Sequence, residues 1–370
     1  MKKLLVNGFS AKAGGGKVIF ENFLKHTNCK KNIEVHVVCP PGIFLNDNRF
    51  IQVPIPNWQY KSLGLLWFYF FYLPSYCKKI KVDSILNFGD IILPRIKDQT
   101  YFFDWAYLVL KDNTLWKKMS LKDRLVRRLK SRIIFTFRNN NSSVIVQSEA
   151  MGDEYKSKML FTGNLIVART PVAINGINSF SLCKLDVTKK DFVYISNYAP
   201  HKNFEIIPLV AKELKENNVD CRILITLPHT SKSWEVIRLD SEKLGVSDKV
   251  YNLGPLTQNE VFSVLNAAKG LFFPSLLESY GMPLIEGLLV GVPVLTSDIP
   301  FIKSVCGESV VYFDPNDEKD IYIKIKQLID GDSAVITDKQ RCDVLGQIPT
   351  WENYSKLLLA ACFDEREFKC

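Results

Sequence analysis

The stretch 272–298, FFPSLLESYGMPLIEGLLVGVPVLTSD, decides the fold of this 370-residue chain. It predicts a buried strand, then a polar loop that carries Glu278, then a helix that opens at the Gly-Met-Pro turn of 281–283. Pro283 suits the first turn of a helix, because the N–H that proline lacks has no partner there. Glu286, eight residues after Glu278, is expected in the first turn of the same helix.

This arrangement suits a ligand that carries both hydroxyl and phosphate groups. Carboxylates accept hydrogen bonds from sugar hydroxyls, while the N–H groups and the positive end of a helix N-terminus attract phosphate. Two glutamates at this spacing are a weak signal by themselves, since helices often present such pairs. Their strand–loop–helix context makes the signal specific.

Strands and helices alternate on both sides of this stretch, which indicates parallel βα units. The alternation pauses once, in a segment before residue 191 that mixes Asn, Gly, Ser and Lys without periodicity. A chain of this length also exceeds the size at which a single core keeps growing. We therefore predict an α/β protein with a Rossmann-like domain at 1–172, a linker at 173–190, a second Rossmann-like domain at 191–350, and a C-terminal helix within 351–370 that packs back on the first domain.

The glycine-rich stretch KAGGGKVIFENFL, 12–24, follows the first predicted strand. A phosphate-binding P-loop needs a glycine five positions before its Gly-Lys pair and Ser or Thr after the lysine. Ala11 and Val18 stand at those positions, so the P-loop reading fails. The glycines remain either a turn with a role in ligand binding or an ordinary strand–helix turn, and Lys17 is expected on the helix surface.

Composition excludes several classes of protein. Apolar residues make up 47% and charged residues 24% of the chain, as in ordinary globular proteins. The nine cysteines contain no CxxC pair, and there are four histidines, which argues against a disulfide framework or a zinc cluster and favours a reducing cytosol. The first apolar run ends at Asn7-Gly8, so no secretory signal is expected.

Two segments suggest contact with a surface. The run LGLLWFYFFYL, 63–73, ends at Pro74 and is too short to span a bilayer, which takes about 20 residues. It fits either a buried core helix or an interfacial helix. The segment 117–138 holds nine basic residues against one acid, with apolar residues at every fourth position from Leu121 to Ile133. Such a helix fits an anionic membrane surface or a solvated face, and no nucleic-acid-binding motif surrounds it.

The stretch 272–298 resembles glycosyltransferase family 4, retaining enzymes with the GT-B fold of two Rossmann-like, doubly wound parallel-sheet domains facing a central cleft. The family pattern is P-S-x-x-E-x-x-G-x-P-x-x-E-x-x-x-x-G-x-P-V, which this sequence matches from Pro274 to Val294. The resemblance implies that Glu278 holds the donor sugar and Glu286 the nucleotide ribose. It also implies that sugar hydroxyls or phosphates meet the backbone of the helix start, formed by Gly281, Met282, Pro283 and Leu284.

Other segments match the family less closely. In ISNYAPHKN, 195–203, Lys202 keeps a lysine that grips the donor diphosphate in many members, whereas Asn197 replaces an arginine with the same role. The segment YNLGPL makes Leu256 a candidate contact of the nucleobase. Gly15 and Gly16 fit the glycine turn that starts the first helix of the acceptor domain. Asp104 lies where many members place a histidine near the donor sugar.

The resemblance therefore implies a retaining, metal-independent transferase (EC 2.4) that moves a hexose-type sugar from a UDP- or GDP-linked donor to a lipid-linked saccharide, in bacterial O-antigen or capsule biosynthesis. Neither a cofactor nor a nucleic-acid partner is expected, and the chain should sit on the cytoplasmic face of the plasma membrane. A GT-B nucleotide-sugar epimerase and a non-catalytic saccharide- or nucleotide-binding protein are the alternatives. The sequence Asp330-Gly331-Asp332 resembles a metal-binding DxD motif, but it follows a predicted helix and is expected to be a helix-ending turn.

Overall fold

The computed structural model describes residues 1–12, 14–28, 32–41, 43, 45–56, 58, 62–110, 114–172, 185–331 and 337–363. These residues form two compact units. Unit 1 comprises the described residues of Met1–Lys111, Ser120–Pro171 and Pro349–Cys370, and unit 2 those of Asp112–Met119 and Val172–Ile348. Residues 114–119, which the sequence placed in the first domain, thus group with unit 2. Most of the expected linker, 173–184, and the end of the chain, 364–370, lie outside the described residues.

Regular structure alternates along the chain. The strands are β1 (Lys2–Asn7), β2 (Ile33–Val38), β3 (Phe50–Gln52), β4 (Ser84–Asn87), β5 (Gln99–Phe102), β6 (Asn141–Val146), β7 (Asn164–Val167), β8 (Asp191–Tyr194), β9 (Arg222–Ile225), β10 (Val250–Asn252), β11 (Gly270–Phe273), β12 (Val294–Ser297) and β13 (Val311–Phe313). The helices are α1 (Gly14–His26), α2 (Ser62–Trp67), α3 (Leu73–Ile80), α4 (Thr114–Lys117), α5 (Leu121–Thr136), α6 (Glu149–Met159), α7 (Ile207–Glu216), α8 (Lys232–Lys243), α9 (Gln258–Ala267), α10 (Met282–Val290), α11 (Pro300–Cys306), α12 (Glu318–Asp330), α13 (Asp338–Leu345) and α14 (Trp351–Ala360).

Each unit is built on one parallel sheet. Unit 1 has a seven-stranded sheet of order β3-β2-β1-β4-β5-β6-β7, and unit 2 has a six-stranded sheet of order β10-β9-β8-β11-β12-β13. Every described strand pair is parallel. The strand order reverses between β1 and β4 in unit 1 and between β8 and β11 in unit 2. Loops diverge at such a switch point, and open α/β sheets bind their ligands there.

The central strands are buried along their whole length. All four residues of β8 and all four of β11 are buried, which is typical of parallel strands covered by helices on both faces. The helices dock through apolar stripes: α7, for example, buries Val210, Ala211 and Leu214 completely. Local caps set several helix ends, such as the capping box in which Thr257 and Glu260 close the start of α9.

The C-terminal helix α14 belongs to the core of unit 1. Tyr354 and Leu358 are fully buried in one apolar cluster with Phe23 of α1. The chain beyond α14 is also held, because the Thr100 hydroxyl donates to the Ala361 carbonyl at 2.9 Å. Unit 1 is therefore made of three separate parts of the sequence, the last of which contributes α14.

The aromatic segment continues past the proline that was expected to end it. Between α2 and α3, residues Phe68–Tyr72 form a π-helical turn in which the Leu73 N–H donates to the Phe68 carbonyl. Pro74 therefore falls just after a change of hydrogen-bond register, where its missing N–H does not break the helix. The expectation of a core helix is half right: Phe68 and Leu73 are fully buried, whereas Trp67 is exposed. Among the residues that the structure describes, no helix is both long enough and apolar enough to cross a membrane.

Candidate functional site

The switch point of unit 2 brings together the two loops that carry the candidate donor-binding residues. β8 and β11 are neighbours, so the loops that follow them leave the same edge of the sheet. The loop after β8 leads to Lys202, and the loop after β11 leads to Glu278. A backbone hydrogen bond of 2.7 Å from the Leu276 N–H to the His201 carbonyl joins the two loops directly.

Lys202 and Glu278 form an ion pair. Lys202 Nζ lies 2.5 Å from Glu278 Oε1, and both side chains are largely shielded, at 18% and 8% exposure. The Lys202 ammonium also lies 5.2 Å from the centre of the Phe273 ring, at the end of β11. The pair thus places one cation and one carboxylate at the carboxyl edge of the sheet, 76 residues apart in sequence.

The Lys202 loop is held by residues that the sequence did not single out. The Tyr194 hydroxyl donates to the Lys202 carbonyl at 2.8 Å. Asn203 adopts a left-handed backbone with φ of 53°, and its amide donates to the Pro315 carbonyl at 2.8 Å. Lys118 Nζ donates to Asn203 Oδ1 at 3.1 Å. Asparagine tolerates this backbone better than most residues do, and this was the one sequence signal for its role.

The start of α10 lies at the end of the Glu278 loop. Gly281 has φ of 82°, and a Cβ atom built on it would lie 2.7 Å from Leu284 Cδ1. No side chain caps this helix, and the Leu284 N–H donates to the Gly281 carbonyl at 2.9 Å. Met282 and Pro283 are half-buried in the first turn. The positive end of the helix dipole is thus uncapped by any side chain. A side chain at 281 would collide with Leu284.

Glu286 lies deeper in α10 than the sequence suggested. The helix begins at Met282, because the left-handed Gly281 turns the chain directly into it, so Glu286 is in the second turn and not the first. Its side chain is 5% exposed and accepts a hydrogen bond of 2.7 Å from Gln258 Nε2, at the start of α9. Burial raises the pKa of the Glu286 carboxyl, and the hydrogen bond from Gln258 opposes the rise. The sequence analysis did not identify Gln258, because it lies 28 residues from Glu286 and no local pattern indicates a contact at that separation.

The two remaining candidates of unit 2 lie on the loops after β8 and β10, strands that β9 separates in the sheet. Asn197 is exposed on the loop after β8. Leu256 is half-buried on the loop after β10 and packs against the core of unit 2. Among the described residues, no hydrogen bond or ion pair joins either side chain to Lys202, Glu278 or Glu286. Their roles therefore stay predictions.

In unit 1, Gly16 and Asp104 are brought together at the carboxyl edge of the sheet. The glycines do not form a turn before α1 but its first residues, since α1 begins at Gly14, where φ is +62°. A Cβ atom on Gly16 would lie 3.3 Å from Asp104 Oδ2, whereas Gly15 is exposed. Lys17 forms an ion pair with Glu21 at 3.7 Å on the helix surface, as expected.

Desolvation and two nearby charged groups set the pKa of the Asp104 carboxyl group. Although the residue as a whole is exposed, desolvation by the surrounding protein raises the pKa of Asp104 to about 6. The charge of Lys130 lowers this pKa and that of Asp90 raises it. Lys130 Nζ itself lies 2.7 Å from Asp90 Oδ1 and 4.1 Å from the centre of the Trp105 ring. The carboxyl group is therefore mostly ionised at neutral pH and becomes protonated in mild acid.

The basic segment 117–138 is divided among three elements. Ser120 caps α5 by accepting from the Asp123 N–H, which separates this helix from α4, and Arg138 lies beyond its end. Arg127 and Lys130 of α5 lie over the rings of Tyr107 and Trp105.

The opposite face of α5 carries exposed leucines. Leu121, Leu125 and Leu129 are 80%, 69% and 55% exposed. Lys122, Arg128 and Arg132 on the same helix are exposed too. Because α5 packs through the fully buried Ile134 and through part of its basic face, these three leucines have no cover among the described residues.

The DxD-like sequence behaves as a helix-ending turn. Asp330 is the last residue of α12, and Gly331 follows with φ of 80°. The carboxylate of Asp330 pairs with Lys326 of the same helix. Asp332 lies outside the described residues. Within the described part of the chain, no group of three or more His, Cys, Asp or Glu side chains is arranged to hold a metal ion.

Known proteins resemble parts of this chain. Residues 183–343 match the family model described as "Glycosyl transferases group 1". The O-antigen chain mannosyltransferase RfbU of Salmonella typhimurium is 26% identical over 173 residues, which are 47% of this chain and 48% of that protein. The O-antigen chain mannosyltransferase B of Escherichia coli is 32% identical over 81 residues, 22% of this chain and 21% of that protein. The chain thus spans about half, or less, of the length of the curated relatives it matches.

Solved structures resemble it over nearly its whole length. HepE from Anabaena, solved in complex with UDP-glucose, superposes with a TM-score of 0.68 at 15% sequence identity, covering 98% of this chain and 100% of that one. At this identity the likeness concerns the fold. The expected α/β fold with two Rossmann-like parallel-sheet units, shared with GT-B glycosyltransferases, is confirmed.

Proposed function

We propose that this chain is a retaining, metal-independent glycosyltransferase that moves a hexosyl group from a UDP- or GDP-sugar to a lipid-linked saccharide in bacterial surface-polysaccharide assembly. The observation that carries the proposal is the ion pair of Lys202 and Glu278 beside the N-terminus of α10. This arrangement lies within the region, 183–343, that matches the glycosyltransferase model.

The donor is proposed to bind to unit 2 in an extended manner. Its diphosphate faces the Lys202 ammonium and the N-terminus of α10, both of which attract negative charge. The hydroxyls of its sugar are donors to the Glu278 carboxylate. Its ribose hydroxyls are donors to the Glu286 carboxylate, which Gln258 already orients at 2.7 Å. Leu256 contacts the nucleobase, and the missing arginine at Asn197 makes Lys202 the main side-chain cation for the diphosphate.

The transfer itself breaks the bond between the sugar anomeric carbon and the terminal phosphate oxygen. The acceptor hydroxyl oxygen bonds to that carbon on the same face, and its proton passes to the leaving phosphate. Negative charge grows on this phosphate in the transition state, so a fixed cation and a helix N-terminus stabilise the transition state more than the ground state. Asp104 in unit 1 is proposed to orient the acceptor hydroxyl through its ionised carboxylate, near Gly15 and Gly16.

The test of this function is transfer of a labelled sugar to lipid-linked saccharides extracted from a strain that lacks the gene. GDP-mannose is assayed first, because the two O-antigen relatives described above are named mannosyltransferases. UDP-glucose is assayed second, since HepE was solved with it. Product with the donor's anomeric configuration, measured by NMR, supports the proposal. Interconversion of the free nucleotide-sugar would indicate an epimerase, and binding without turnover would indicate a non-catalytic protein.

The acceptor is proposed to be presented at the anionic cytoplasmic face of the membrane, where the exposed leucines of α5 and its basic residues dock. Each basic residue near such a surface contributes about 1 kcal/mol, and salt screens the attraction beyond about 8 Å. The variant Lys122→Ser/Arg128→Ser/Arg132→Ser should therefore bind anionic vesicles weakly, and added salt should weaken wild-type binding in the same way.

The matched control removes three exposed lysines of unit 2 and leaves α5 intact, in the variant Lys232→Ser/Lys243→Ser/Lys319→Ser. Equal vesicle binding by the two variants would indicate that the basic face of α5 is only a solvated surface and not a membrane contact. Transfer to a short water-soluble acceptor should be the same in both variants, because neither touches the donor site.

A further inference from the structure

A cluster of large apolar side chains, here called the aromatic surface, lies exposed on unit 1. Trp58, Leu66, Trp67 and Phe71 are 52%, 43%, 41% and 46% exposed. The rings touch one another: Trp58 and Trp67 have centroids 5.1 Å apart, and Trp67 and Phe71 have centroids 6.5 Å apart. Single exposed apolar residues are ordinary, whereas a contiguous group marks a contact surface.

The helix that carries this surface is anchored firmly beneath it. Phe68 and Tyr69, in the π-helical turn, are 0% and 2% exposed, and the Phe68 ring stacks on Phe9 at 4.8 Å. Trp67 and Phe71 are four residues apart and share the outward face of the helix. The buried aromatics thus account for the stability of the segment, and the exposed ones are left without a role in the core.

The segment that carries the aromatic surface is basic. From Pro54 to Val82 the sequence contains four lysines and no acidic residue. Lys78 and Lys79 are exposed in α3. The guanidinium of Arg95 lies 4.5 Å from the centre of the Phe71 ring. Aromatic side chains with basic neighbours are the composition that proteins use at the interface of an anionic bilayer.

The aromatic surface also adjoins the end of α5. Phe70, within the π-helical turn, meets Phe137, the residue after α5, edge to face at 6.0 Å between centroids. The helical segment that carries the aromatic surface therefore contacts the C-terminal end of α5. We propose that the aromatic surface is a second lipid-contacting element, which inserts Trp67 and Phe71 among the headgroups of an anionic bilayer beside α5. This inference depends on one part of the proposed function, namely that the acceptor is located at the membrane.

The experiment measures binding of the full chain to phosphatidylcholine vesicles with and without phosphatidylglycerol. The test variant is Leu66→Ser/Trp67→Ser/Phe71→Ser. The control variant removes three similarly exposed apolar residues of unit 2, Val236→Ser/Leu239→Ser/Ile323→Ser. Because three large side chains lose their contact with lipid, the test variant should bind anionic vesicles at least about tenfold more weakly than wild type. The control variant should bind as wild type does.

A second measurement keeps the proposal testable if the test variant folds poorly. Brominated lipids should quench part of the tryptophan fluorescence of the wild type. The variant Trp58→Phe/Trp67→Phe, whose aromatic surface stays apolar, should still bind vesicles but should lack the quenched part of the fluorescence. Unchanged vesicle binding by a folded test variant, or quenching that persists without the two tryptophans, overturns the proposal. So does self-association that depends on the aromatic surface while vesicles bind equally, since the occupant would then be a second copy.

The outcome is separable from that of the proposed function. Loss of vesicle binding with retained transfer to a water-soluble acceptor supports the inference. Intact, tryptophan-dependent vesicle binding without transfer from any nucleotide-sugar would refute the proposed function and leave the aromatic surface established.

Discussion

Replacing Gln258 by leucine tests the geometry of the candidate donor site through a residue that is not expected to touch the reacting atoms. The Glu286 carboxylate is 5% exposed and accepts the Gln258 amide at 2.7 Å. A hydrogen bond to a charged group is worth about 1.5–3 kcal/mol. Leucine is close to glutamine in volume but cannot donate, so the ionised form of Glu286 should lose stabilisation of that order, a factor of about 10–150.

The sign of the pH effect follows from the direction of the pKa. Burial already raises the pKa of Glu286, and the Gln258 hydrogen bond restrains it, so Gln258→Leu should raise the pKa further. When burial raises the pKa of a carboxyl group in the folded state, its ionised form lowers the free energy of unfolding at pH values above its pKa in the unfolded state. This loss disappears in acid, where the group is protonated in both the folded and the unfolded state. The variant should therefore be less stable than wild type at neutral pH, and the difference should shrink on acidification.

Donor binding provides the decisive assay. If ionised Glu286 accepts the ribose hydroxyls, nucleotide affinity falls as pH drops through the pKa of Glu286, and in Gln258→Leu the fall begins at a higher pH. Calorimetric titration of UDP and GDP across pH measures this, with Asn259→Leu, at the exposed neighbouring position of α9, as the control. The reasoning is refuted if the folded variant and wild type lose nucleotide affinity at the same pH.

Three further outcomes follow from the candidate site. Lys202→Ala should lower kcat more than it raises KM in steady-state transfer assays, because charge grows on the leaving phosphate; a pure KM effect would contradict that role. At saturating nucleotide-sugar, where weaker donor binding on protonation of Glu286 no longer limits the rate, Asp104→Asn should remove the acidic limb that wild type shows below a pH of about 6; a limb that persists in the variant under this condition would exclude Asp104 as its source. Transfer should survive EDTA, and an absolute need for Mg²⁺ or Mn²⁺ would restore a metal role for the Asp330 region.

Much of the fold was readable from the sequence, because local physics determines it. Apolar runs between turn residues mark strands that are buried on both faces, and the stretch 272–298 carried its strand, loop and helix with little ambiguity. The short β3 was missed because three residues with mixed polarity, Phe50–Gln52, show no period. Glu286 was expected in the first turn of α10 and lies in the second, since the left-handed backbone of Gly281, which starts the helix at Met282, is a property of the folded turn.

The sequence also named Lys202, Glu278 and Glu286 as site candidates, but only the tertiary structure paired them with their partners. The contact between Lys202 and Glu278 depends on β8 and β11 lying side by side, although 76 residues separate the two side chains. Gln258 reaches Glu286 from another helix, so no local pattern marks it.

The two exposed apolar segments, α5 and the aromatic surface, also show which features the sequence predicts and which the tertiary structure decides. Periodicity in the sequence predicted that α5 is amphipathic, and the run of aromatics at 63–73 predicted a helix. Periodicity cannot tell which face of a helix meets the core, because that depends on what the rest of the chain offers to pack against it. In the folded unit, Arg127 and Lys130 lie over Tyr107 and Trp105, and this packing, set by distant parts of the chain, is what leaves the leucines of α5 facing outward.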